Sequence, residues 1–176
     1  MRLFVALDLP QSHRDRLSDL ASGLPGARWV PPENYHVTLR FVGEVPPHEA
    51  EELDLALAGI RARRFALELA GVGTFDRGGR SGTLFAGVAR NDGLAHLQSK
   101  VETALQRAGV APERRRFTPH VALAKLDGSD PRLGGWIAAH NLFRAPAIAV
   151  EHFCLFSSHL GREQASYTVE VEYALD

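Results

Sequence analysis

The sequence predicts an α+β fold in two lobes, with largely antiparallel sheets facing across a central cleft and helices outside. Three observations carry this. A short motif occurs twice, as His36-Val37-Thr38-Leu39 and, 84 residues later, as His120-Val121-Ala122-Leu123. Strand-like and helix-like segments alternate in a similar order around each copy. Hydrophobic residues make up 45% of the 176 residues, enough for a proper core. At that length the chain is expected to be one domain, residues 1–176, made of two pseudo-symmetric lobes.

The elements follow in order. Residues 2–8 are an apolar strand, and Pro10 then opens a helix to about Leu20. Gly23 through Gly26 make a turn before a short strand at 27–30. Pro31-Pro32-Glu33-Asn34 form a rigid loop into the first motif strand, 35–42, which Gly43 ends. Pro46 and Pro47 start a helix to about Ile60. Residues 65–70 alternate as a strand, and 76–82, with three glycines, form a mobile loop before a strand at 83–89. A helix spans about 93–108 and stops at Gly109. After Arg114-Arg115-Arg116 comes the second motif strand, about 120–126. A turn at 127–130, a helix from Pro131 to about Leu142, one or two strands over 146–158 and a cleanly alternating strand at 166–174 complete the chain.

Composition narrows the function. The net charge is −1, so no global field draws nucleic acid and any such contact must be local. Of 20 basic residues only Lys100 and Lys125 are lysines. One cysteine, Cys154, excludes an internal disulfide and a Cys zinc site, and its apolar run reads as a buried structural thiol. The other histidines show no i,i+4 spacing or carboxylate clustering of a metal site. The N-terminal apolar stretch ends at Asp8 and Pro10 without a small-residue cleavage site, and no run approaches the roughly 20 apolar residues of a membrane span. A cytoplasmic protein is expected, with no membrane contact. No glycine-rich nucleotide cradle is present.

The motif carries the chemistry. In a strand, residues two apart share a face. His36 and Thr38 therefore share one face, with Val37 and Leu39 on the other, and His120 and Ala122 repeat the arrangement. Two imidazoles across a cleft supply one general acid and one general base near neutral pH. Such a pair can cleave a phosphodiester without metal, and no cofactor is expected. A hydroxyl beside an imidazole, as at Thr38, can donate to a phosphoryl oxygen as charge builds there.

The chain resembles the two-histidine (2H) phosphoesterases, specifically the RNA 2′,3′-cyclic phosphodiesterase (2′-5′ RNA ligase) family. The resemblance covers nearly the whole chain, through Arg2 to Pro10, Asn34 to Glu44, Phe117 to Leu123, Phe153 to Ser158, Gly161 and Tyr167. It implies a bilobal fold with both histidines in the cleft. It implies metal-free hydrolysis of RNA 2′,3′-cyclic phosphate ends to 2′-phosphates, and, as in some relatives, the reverse joining of ends through a 2′-5′ linkage. By resemblance His36 is the proton donor to the 3′ leaving oxygen, His120 the acceptor from water, and Thr38 the phosphate contact. The family pattern places Thr or Ser two residues after each histidine. Ala122 departs from it and leaves only its backbone for the substrate.

Alternation also places Arg40 and Arg116 on the histidine faces, as candidate contacts to RNA phosphate. Thr118, two residues before His120, or an ordered water is the candidate replacement for the missing hydroxyl. Lys125 falls opposite His120, and Phe41 falls with Val37 and Leu39 in the core. Phe4, Phe41 and Tyr167 are read as core in preference to base-stacking residues. The expected partner is RNA with a cyclic phosphate end, or a small cyclic nucleotide, bound by a monomer with no obligatory protein partner. The rival from another class is a catalytically weak RNA-end-binding protein, which Ala122 favours.

Overall fold

The computed structural model describes residues 1–77, 81–128 and 130–176; the centre of the glycine-rich loop lies outside the described residues. The elements run β1 (Arg2–Asp8), α1 (Gln11–Ser18), β2 (Arg28–Trp29), a 3-10 turn (Pro32–Asn34), β3 (His36–Glu44), α2 (Pro47–Ala58), β4 (Phe65–Leu67), β5 (Leu69–Arg77), β6 (Ser81–Val88), α3 (Asp92–Arg107), β7 (His120–Asp127), α4 (Leu133–His140), β8 (Ile148–Val150), β9 (His152–Leu160) and β10 (Ala165–Ala174). One four-stranded sheet has the order β10-β9-β1-β3 and the other β2-β7-β6-β5, with β4 and β8 as a small third sheet. Among the described residues all strand pairs are antiparallel.

The helices follow their local signals. Asn91 caps α3 by accepting from the Leu94 N–H at 2.9 Å, and Leu94, Leu97, Val101 and Leu105 recur at helical spacing and are buried. Gly109, at φ +102, takes the left-handed conformation that lets the chain turn away after α3. On α2, Leu53 and Leu57 face the core one turn apart, while Leu55 between them is exposed.

One continuous core runs behind both sheets. It takes Leu3, Val5 and Leu7 from β1, Val37 and Leu39 from β3, and Val121 and Leu123 from β7. A separate small cluster, Phe4, Ala6, Cys154 and Phe156, lies on the opposite face of the first sheet.

Three readings of the sequence need correction. The expected strand at 65–70 is two strands: β4 pairs with β8, and β5 starts afresh at Leu69. The loop expected at 76–82 is shorter, since β5 and β6 pair out to Arg77 and Ser81. Most consequential are two β-bulges. On β3, Ala6 faces Thr38 but Val5 faces Arg40, so Leu39 is an extra residue. On β7, Phe85 faces Ala122 but Leu84 faces Ala124, so Leu123 is extra. The bulges sit at the same point of the two motifs, and each inverts the alternation of the residues that follow it, on β3 only until a second extra residue, Val42, restores it.

Candidate active site

His36 begins β3 and His120 begins β7, each just after a proline-containing approach. The two rings are held alike. His36 Nδ1–H donates to the Asn34 carbonyl at 2.7 Å, and His120 Nδ1–H donates to the Thr118 carbonyl at 2.8 Å. A carbonyl only accepts, so each neutral imidazole carries its proton on Nδ1 and leaves Nε2 as the basic nitrogen. At His36 that Nε2 meets the Thr38 hydroxyl at 2.8 Å. At His120 the equivalent position is Ala122, which offers no hydroxyl.

Aromatic rings box in both histidines. The ring of Phe4 lies 4.9 Å from that of His36 and Tyr167 meets it edge-on at 5.3 Å. Phe75 meets His120 edge-on at 4.8 Å and Phe85 lies at 5.5 Å. Gly73 makes room for Phe85, since a Cβ there would stand 2.8 Å from its ring. The sequence reading gave no role to Phe75, Phe85 or Phe156; their signal is the strand register, which sequence alone does not supply.

Burial lowers the His36 pKa to about 4, and the charges of His120 and Arg14 push the same way against the Asn34 hydrogen bond and Asp8. The strands that carry the two histidines, β3 and β7, run close to each other. Asp8 stands opposite His36 in the strand pairing and is ion-paired with Arg14, whose guanidinium also donates to the Leu9 and Pro32 carbonyls. Asn34 is itself fixed by donating to the Ala165 carbonyl at 2.8 Å.

The bulges redistribute the other candidates. Arg40 is on the core side, 7% exposed, and pairs with Glu102 of α3 at 2.6 Å. It also donates to the carbonyls of Phe41 and Ala111, so it is not available to an RNA phosphate. Glu102 in turn accepts from the Glu113 N–H at 2.9 Å. Its carboxyl is held down to about 2 against the cost of burial by hydrogen bonds from Arg40, Glu113 and Gln106. This pair braces β3 to the segment that delivers His120. Phe41, expected in the core, is 65% exposed, with its ring 5.9 Å from Phe4 on the His36 face. Lys125 takes the equivalent place on β7 and is exposed. Arg116 is exposed in the segment before β7. The β7 strand starts only at His120, so strand alternation does not extend to Thr118, whose carbonyl rather than hydroxyl reaches the imidazole.

A cavity of about 460 Å³ opens beside this site, lined by Arg28, Trp29, Asn34, Lys125, Gln164 and Tyr167 among others. A larger hollow of about 600 Å³ beside α2 and α3 contains neither His36 nor His120. No helix among the described residues is long and apolar enough to cross a membrane.

Comparison with known proteins points the same way. The sequence profile of the family described as "LigT like Phosphoesterase" matches residues 7–85 and 87–167. The chain is 41% identical over 109 residues to the RNA 2′,3′-cyclic phosphodiesterase of Aeropyrum pernix, covering 61% of each protein. It is 34% identical over 158 residues to the protein of the same name from Geobacillus stearothermophilus. That match covers 84% of this chain but only half the length of the relative. The crystal structure of E. coli LigT complexed with 3′-AMP superposes with a TM-score of 0.82 at 29% identity, over 99% of this chain and 97% of that one.

Proposed function

The chain belongs to the LigT-like phosphoesterase family, and from that premise we propose that it hydrolyses RNA 2′,3′-cyclic phosphate ends to 2′-phosphates, with His36 and His120 as acid and base. The observation that carries this is the matched tethering of the two imidazoles, each with Nδ1–H on a backbone carbonyl and Nε2 left to exchange a proton. The names of the two curated relatives support the substrate, and the two stretches matched by one profile support a chain of two pseudo-symmetric lobes.

In this reading His120 Nε2 takes a proton from water as the water oxygen bonds to phosphorus. The bond from phosphorus to the 3′ oxygen breaks, and His36 Nε2–H gives its proton to that oxygen. The phosphate stays on the 2′ oxygen. Thr38 donates to a phosphoryl oxygen as charge develops. A 5′-hydroxyl in place of water would yield a 2′-5′ linkage by the same proton transfers.

The low pKa of His36 leaves it neutral at pH 7 before substrate arrives. The negative phosphodiester then favours the imidazolium, so the acid acquires its proton in the complex. In this reading Phe41, exposed beside Phe4, stacks on a base, and the exposed Lys125 and Arg116 meet phosphates.

The test is an assay in chelator of a short RNA ending in a 2′,3′-cyclic phosphate, with the position of the product phosphate read out. A 2′-phosphate supports the proposal, and a 3′-phosphate contradicts the leaving-group assignment. Binding without turnover would favour the RNA-end-binding reading that Ala122 keeps open.

A further inference from the structure

We propose that His152, Cys154 and Glu172 form a binding site for a thiophilic divalent cation of the zinc class, separate from the two-histidine site. The sequence reading expected no zinc site at the lone cysteine and no histidine clustered with a carboxylate; strand pairing corrects both by bringing the three side chains together. His152 and Cys154 are two apart on β9 and so share a face. Glu172 stands directly opposite Cys154 on β10. Their three donor atoms, an imidazole nitrogen, the thiol sulfur and a carboxylate oxygen, all lie within 4.8 Å of one another. His152 Nδ1 and the Glu172 carboxylate are already 3.8 Å apart.

The donor set suits zinc, which takes Cys, His and carboxylate ligands at about 2.0 to 2.3 Å in a tetrahedron, leaving a fourth place for water. Those bond lengths bring the donors to roughly 3.5 Å from each other, so about an ångström of movement closes the site. The two side chains that must move can do so, because His152 and Glu172 are 40% and 62% exposed. Cys154 is the fixed member, 1% exposed and packed with Phe4, Ala6 and Phe156.

Loading the site costs the thiol its proton. Burial and the carboxylates of Glu172 and Asp8 push the Cys154 thiol up to about 12. A bound dication reverses that balance: the sulfur–metal bond forms and the thiol proton leaves to solvent. The site shares a sheet face with the catalytic region, since Phe4 joins Cys154 in one cluster and touches the ring of His36.

The test titrates cobalt(II) and then zinc into the full chain after chelator treatment. Cobalt should give a thiolate-to-metal charge-transfer band that saturates at one equivalent, and zinc should abolish it by displacement. Cys154→Ala should lose the band, and Glu172→Gln should bind zinc about tenfold more weakly or worse. If Cys154→Ala does not fold, His152→Ala at its half-exposed position serves the same purpose and should weaken zinc binding by a similar factor. Absence of the band in the wild type, or zinc affinity unchanged in these variants, overturns the proposal.

Discussion

Acid should destabilise this protein through His36 in particular. In the folded chain its pKa is about 4, whereas an unfolded histidine titrates near 6.5. Between those values the unfolded state binds a proton that the folded state refuses, so stability falls as the pH drops from 6.5 to 4. At about 1.4 kcal/mol per pH unit, the gap amounts to roughly 3 kcal/mol, present in full above pH 6.5 and absent below pH 4. Glu102 acts in a lower window, between 4.5 and about 2, so the two effects separate. Urea unfolding of the wild type and of His36→Asn from pH 7 to pH 4.5 measures the histidine contribution. For a urea slope of about 2 kcal/mol per molar, the wild type should lose about 1 M or more of midpoint relative to the variant. Parallel pH dependence in the two proteins would refute the burial account of His36.

Arg40→Met leaves the Glu102 carboxylate partly buried without its cation and should cost about 3 to 5 kcal/mol in urea unfolding. Adding Glu102→Leu should recover much of that loss, and no recovery would mean Arg40 stabilises by packing alone. Ala122→Thr, beside His120 as Thr38 is beside His36, should raise kcat about tenfold or more if the missing hydroxyl limits the rate; an unchanged kcat removes that explanation. Phe41→Ala should raise KM roughly five- to thirtyfold, matching about 1 to 2 kcal/mol of lost stacking, with kcat nearly constant. A fall in kcat at constant KM would instead place Phe41 in the support of His36.

Much of this architecture was legible in residue patterns. The recurrence of His-Val at both motifs, with apolar flanks, located two equivalent strands, and the burial of Val37 and Leu39 beside the partly exposed His36 and Thr38 follows the two-residue period. The period fails where the chain adds a residue. Leu39 and Leu123 are both apolar and both buried, so nothing in their chemistry marks them as bulged. Strand pairing alone reveals it, and the cost fell on Arg40, Phe41 and Lys125, each assigned to the wrong face. The same limit hid the aromatic boxes, where Phe75 and Phe85 come from β5 and β6, far from His120 in sequence. It also hid the gathering of His152, Cys154 and Glu172, which no helical spacing would show.

The central claim is that His36 and His120 divide one acid–base reaction. The most direct measurement is single-turnover cleavage of a cyclic-phosphate-ended RNA by wild type, His36→Ala and His120→Ala, with binding of the same RNA measured in parallel. The account predicts losses of about a hundredfold or more in rate for either variant, with binding retained. Near-wild-type turnover in either variant would contradict it.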